Sequence, residues 1–129
     1  SIQYRVLSMK KIGDFTDLIV WQKAHQLVLE IYKITRNFPS YEKFALAIQM
    51  QRAAVSITSN ISEGFARRSK KEKLQFYYMA LGSLSELRNQ LIICRDLKYI
   101  DSKTIEELES QAIEVRRLLN GLIKSSTDY

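Results

Sequence analysis

The residues with the most chemical potential lie in Gln51–Arg68, QRAAVSITSNISEGFARR, where Arg52, Ser56, Ser59 or Asn60, and Glu63 recur three or four positions apart. On a helix these side chains share one face. Glu63, with Glu86 further along, could act as an acid/base pair, and Arg52 with Arg88 could steady a developing anion. The same stretch carries alanine, serine and glycine where a core helix would carry leucine, so it is expected to admit a close neighbour.

The catalytic constellation stays incomplete. The single histidine, His25, sits beside Gln22 and Gln26 rather than a carboxylate in sequence, and no HExxH, GxxxxGK[ST] or GxSxG pattern occurs. A carboxylate-bridged di-metal bundle needs several inward carboxylates and two histidines, so no metal or other cofactor is expected. The reading preferred for Arg52, Asn60, Glu63 and Glu86 is a structural polar network that pairs with a neighbouring helix and fixes register. His25 reads as a surface residue and Cys94 as a small core residue. No enzyme is expected.

The elements that position this stripe are helical. One proline and four glycines in 129 residues leave too little turn punctuation for an all-β fold. Trp21, Ala24, Val28, Ile31, Thr35 and Phe38 predict a helix over about 17–37, ended by Pro39. Leu46, Met50, Ala53, Ile57, Ile61 and Phe65 predict a second over 41–66. Tyr77, Leu81, Leu84, Leu87, Leu91 and Cys94, behind the capping-box pattern Ser69-Lys-Lys-Glu72, predict a third over 70–98. Ile105, Leu108, Ala112, Val115, Leu119 and Leu122 form an a/d seam in a fourth, over 102–124. Short links between such helices predict an all-α, antiparallel up-down-up-down four-helix bundle over 17–125. Residues 1–16 are expected to be a mobile extension, with Met9-Lys10-Lys11 as a natural start, and 126–129 a C-terminal tail.

Charge is unevenly spread. The net charge is +6, yet 67–100 carries eight basic against three acidic residues, and 101–129 four against six. Arg67, Arg68, Lys70, Lys71 and Lys73 are therefore the candidates for nucleic-acid phosphates, with a solvated helix start as the plainer alternative. Leu18-Ile-Val-Trp21 and Phe76-Tyr-Tyr-Met79 set apolar side chains around a whole helical turn, so Leu18, Trp21, Phe76 and Tyr78 are expected at an interface between copies of the chain. No apolar run approaches the roughly 18 residues of a membrane span, and one unpaired cysteine suits a reducing cytoplasm.

The combination DLIVWQKAHQL (17–27), IYKITRNFP (31–39), QRAAVSITSNISEGFARRSKKE (51–72) and ALGSLSELRNQL (80–91) resembles the four-helix-bundle proteins encoded in intervening sequences of bacterial large-subunit rRNA genes, over roughly 14–124. Thr58 stands where that family usually has proline, which removes an expected kink. The resemblance implies a homo-oligomer. In the related accessory protein of diversity-generating retroelements this is a pentameric barrel whose basic surface engages nucleic acid and a reverse transcriptase. It also implies an architectural role for Arg52, Asn60, Glu63, Gly64 and Glu86. The expected function is a non-enzymatic, oligomeric, RNA- or DNA-binding bundle. The alternatives are a protein-interaction scaffold using the apolar faces of the first and third helices, and an enzyme built on the Arg52/Glu63/Glu86 stripe.

Overall fold

A computed structural model describes residues 11–127. It contains helices α1 (Ile19–Thr35), α2 (Leu46–Ala66), α3 (Lys70–Asp96) and α4 (Ser102–Thr127), with short 3-10 turns at Phe15–Asp17 and Ser40–Glu42. The fold is the all-α four-helix bundle that the four apolar seams require. Neighbouring helices pack in the order α1–α2–α3–α4, and α4 closes back on α1.

Paired side chains give the directions. Along α2 and α3, Met50 meets Cys94, Ser56 meets Ser83, and Gly64 meets Tyr77, so numbers rise in one helix as they fall in the other. Along α3 and α4, Arg88 reaches Glu109 and Lys70 reaches Thr127 in the same sense. Both pairs of helices are antiparallel.

The seams supply most of the core, although Trp21, Leu46, Phe65 and Leu81 are only half-buried. Ala24, Val28, Ile31, Met50, Ala53, Ile57, Ile61, Leu84, Leu87, Leu91, Ile105, Leu108, Ala112, Val115 and Leu119 are all buried, joined by Val20 and Leu27. At the end of α4 the buried residue is Ile123, with Leu122 only packed against the cluster. A straight helix of 3.6 residues per turn drifts off a strict heptad by the third repeat, which brings the later position inward.

Several boundaries differ from the sequence expectation, and the first helix is two residues shorter at each end, Ile19–Thr35 against about 17–37. Residues 41–45 are not part of α2: Ser40–Glu42 form a 3-10 turn, 43–45 continue as a turn, and Ala45 (φ −126°, ψ −99°) breaks the backbone before Leu46. The third helix stops at Asp96, because Lys98 takes φ 60° and the N–H groups of Lys98 and Tyr99 return to the carbonyls of Arg95 and Cys94. That is a Schellman C-cap with lysine at the position that usually needs glycine. The fourth helix continues to Thr127, taking in part of the expected tail. Within the expected extension, Phe15 packs edge-on to Trp21 with centroids 5.4 Å apart, and Asp17 accepts the N–H groups of Gly13 and Asp14. Residues 1–10 and 128–129 lie outside the described residues.

Thr58 leaves α2 continuous. Its hydroxyl donates to the Val55 carbonyl at 3.0 Å, and the helix runs unbroken from Leu46 to Ala66.

Candidate nucleic-acid interface

The α2–α3 joint is where small residues matter. Gly64 is buried beneath Tyr77, and a Cβ there would stand 2.5 Å from Tyr77 Cε1 and 3.1 Å from Phe76 Cβ. The close neighbour expected from the alanine- and serine-rich stretch is the Tyr77 ring of α3. Burial also pushes the Tyr77 phenol pKa upward, since the phenolate would lose its hydration there.

With the helices this close, the link Arg67–Ser69 is short and its charges crowd the corner. Ser69 caps α3 by accepting the Glu72 N–H at 3.1 Å. Lys73 reaches back to the end of α2, donating to the carbonyls of Phe65 at 2.8 Å and Gly64 at 3.3 Å. The Phe65 carbonyl lies where intrahelical donors run out, the Gly64 carbonyl is shared with the Arg67 N–H, and the cation also answers the negative pole of the helix dipole. Arg67 pairs with Glu63 at 2.9 Å and lies 4.7 Å over the Phe76 ring. Lys70 donates to the Thr127 carbonyl at 2.8 Å, tying the corner to the end of α4.

Two cations differ from these three. Arg68 and Lys71 are exposed and make no hydrogen bond or ion pair among the described residues. Arg68 lines a shallow groove of about 320 Å³ together with Lys70, Lys73, Ser125 and Ser126. All five residues chosen from the sequence thus fall on one corner. Three hold the joint together, and Arg68 and Lys71 face solvent.

The polar stripe does not close into one network. Glu63 pairs with Arg67 on its own helix, Glu86 meets only Gln90 one turn on at 3.4 Å, and Arg52 is exposed beside a groove lined by Tyr32, Ile48, Val55 and Ser59. Asn60 donates to the Ser56 carbonyl at 2.8 Å and to its hydroxyl at 3.0 Å. The cross-helix polar contacts are others: Ser56–Ser83 at 2.8 Å between α2 and α3, Gln51–Thr35 at 3.0 Å between α1 and α2, and Arg88–Glu109 at 2.6 Å between α3 and α4. Neither Glu63 nor Glu86 lines the groove beside Arg52.

Gln90, which its spacing alone does not single out, is only 4% exposed, and its Oε1 is buried without a partner. Cys94 lies in the core against Met50, and burial, helped by the Glu42 carboxylate, pushes its pKa up to about 12. His25, expected at the surface, is half-buried and stacks on Trp21 with centroids 4.8 Å apart. Among the described residues no three His, Cys, Asp or Glu side chains are grouped to hold a metal ion, and no helix is long and apolar enough to cross a membrane.

Of the four candidate interface residues, Leu18 and Trp21 pack partly onto the core and Phe76 lies under Arg67. Tyr78 is 57% exposed, with the exposed Met79 beside it.

The family model of the 23S rRNA-intervening sequence protein matches residues 16–121, from the turn before α1 to the last turns of α4. The chain belongs to that family. Among solved structures it is similar to a protein with unknown function from the S23 ribosomal protein family of Bacteroides thetaiotaomicron VPI-5482, whose crystal structure was determined at 1.70 Å. The two share 23% sequence identity with a TM-score of 0.77, covering 82% of this chain and 96% of that one. At this identity the likeness establishes the fold. No curated protein matches the chain.

Proposed function

We propose that this chain is a non-enzymatic, homo-oligomeric bundle, five copies in a ring, that binds RNA or DNA in the cytoplasm through phosphate contacts at the α2–α3 corner. The observation that carries the reading is the pair Arg68 and Lys71: exposed, without an acidic partner, and beside two further lysines. Cations that hold no internal contact can exchange condensed counterions for phosphates without dismantling the fold. Nothing at the corner resembles a helix presented to a groove, so recognition rests on the backbone rather than on base edges.

The test is fluorescence anisotropy of duplex RNA and DNA with the wild type and with Arg68→Gln/Lys71→Gln, between about 50 and 200 mM salt. Each phosphate that the protein ceases to neutralise lowers the steepness of log affinity against log salt by about 0.9, so the double variant should be shallower by about 2 for every chain that touches the duplex. Equal slopes and affinities for the two proteins would reject the corner as the interface.

Tyr78 and Met79 favour a second reading, a scaffold that engages a protein such as a reverse transcriptase, because exposed aromatic and methionine side chains are enriched at interfaces. Under that reading Tyr78→Asp abolishes a nuclease-resistant complex and leaves nucleic-acid affinity unchanged.

A further inference from the structure

The opposite end of the bundle is also basic, and it adds aromatic side chains. The turn between α1 and α2 presents Phe44, 88% exposed, and Tyr41, 73% exposed, the two most exposed large apolar residues among those described. They stand on an ordered base. Tyr99, from the link between α3 and α4, lies beside Tyr41 and packs on the buried Phe38 with centroids 5.5 Å apart. The turn is closed by backbone bonds from Glu42 to Pro39 and from Ala45 to Glu42.

The charges around these rings are sorted. The side chains of Arg36, Lys43 and Lys98 are exposed and make no hydrogen bond or ion pair among the described residues. The nearby acids are engaged: Asp96 with Arg95 at 3.0 Å, and Asp101 with the Thr104 N–H at 2.7 Å. Glu42 is half-buried, and its charge bears on Tyr99 and Cys94 beneath the turn. The outer face of this end is therefore two open aromatic rings among three free cations.

A second copy of the same end would set like charges against each other, so pairing of two such ends is electrostatically disfavoured. An unpaired nucleotide strand complements both features, because each base has a face for a ring and each phosphate a charge for a cation. Duplex bases are already stacked and offer the rings nothing.

We propose that the α1–α2 turn, with Tyr41 and Phe44 as stacking rings and Arg36, Lys43 and Lys98 as phosphate contacts, is a docking platform for single-stranded RNA or DNA. It shares a ligand class with the function proposed above but not the surface. The 27 residues of α3 separate the two ends by about 40 Å.

The experiment measures anisotropy of a ten-nucleotide oligouridine and of a duplex of the same length, using the full chain, at about 50 mM salt. Phe44→Ala should weaken oligouridine binding about tenfold and leave duplex binding within twofold, since stacking acts only on exposed bases. Tyr41→Ala should do the same, and Tyr41→Phe, which keeps the ring, should bind like the wild type. Phe44 is nearly free of internal contacts, so its truncation leaves the fold intact, as circular dichroism would verify. Equal weakening on both ligands, or none on the oligouridine, overturns the platform. So does a drop in molecular mass for Phe44→Ala in size-exclusion light scattering, which would make the turn a contact between copies of the chain. Arg68→Gln/Lys71→Gln separates the two proposals: it should lower duplex binding and retain the tenfold Phe44 effect on oligouridine.

Discussion

Adding one methyl group at position 64 tests the closeness of the α2–α3 joint. In an exposed helix, glycine to alanine stabilises by about 1 kcal/mol. Here the new Cβ would stand 2.5 and 2.8 Å from two carbons of the Tyr77 ring and 3.1 Å from Phe76 Cβ. Carbon atoms settle at about 3.5–4.0 Å, so the ring must retreat by about 1 Å. Tyr77 is buried and Phe76 Cβ is fixed to the α3 backbone, which leaves separation of the helices as the main relief. Overpacking of this kind costs about 1–3 kcal/mol, so after the gain in propensity Gly64→Ala should lose about 1–2 kcal/mol. Urea denaturation followed by circular dichroism at several temperatures reads that loss, with a Tm lowered by roughly 3–10 °C. Repeating the substitution in a Tyr77→Leu background removes the ring and should turn the effect into a gain approaching 1 kcal/mol. Stabilisation by Gly64→Ala in the wild type, or an equal loss in both backgrounds, would refute the close-approach argument.

The remaining predictions concern single positions elsewhere. Lys98→Gly should raise stability by about 0.5–1 kcal/mol, because Lys98 occupies the left-handed conformation that costs an L side chain about this much; an unchanged denaturation midpoint would contradict the cap assignment. Gln90→Met should be stabilising by about 1 kcal/mol at unchanged m-value, since it removes a buried oxygen with no partner, and a loss would show that the amide is satisfied. Asp101 accepts the Thr104 N–H, which holds its carboxyl below the ordinary value of 3.8. Its folded pKa is thus below its unfolded one, so its contribution is complete above that range and fades as pH falls through the folded value. The Tm gap between wild type and Asp101→Ala should accordingly be constant from pH 5 to 7 and shrink as pH falls below the ordinary value of 3.8; a gap independent of pH would contradict the cap.

The seams were legible because burial is a property of one helix at a time. Leu84, Leu87 and Leu91, or Ile105, Leu108 and Ala112, declare their face by spacing alone, and each is buried as that spacing requires. The start of α2 was not legible. The residues after Pro39 are expected in the second helix, but Ser40–Glu42 form a 3-10 turn, with Tyr41 beside Tyr99, nearly sixty positions on. The polar stripe was half legible for a related reason. Spacing put Arg52, Ser56 and Glu63 on one side of α2, but their partners depend on the register between helices, which no single segment encodes. Ser56 finds Ser83, whereas the carboxylate that Arg88 meets is Glu109 of α4. The candidate cations were found as a group. What the sequence could not reveal was their division into bound and free, because Lys73 and Lys70 meet backbone carbonyls that every residue possesses.

That division changes what the net charge of +6 means for binding. Lys73 closes the end of α2, Arg67 is held between Glu63 and Phe76, and Lys70 holds the end of α4, so drawing any of them to a phosphate first breaks an internal interaction. Arg68 and Lys71 carry no such cost. Two free cations on one chain give a salt slope near −2 and an affinity too weak to persist at physiological ionic strength. Several chains held in one assembly would add their slopes and bind through effective concentration rather than through new contacts. The two halves of the proposed function therefore depend on each other: a variant that dissociates the assembly at Tyr78 should lose most of its duplex affinity with the Arg68/Lys71 corner intact. If that variant instead retains wild-type affinity and slope as a monomer, one corner suffices, and the oligomer needs another explanation.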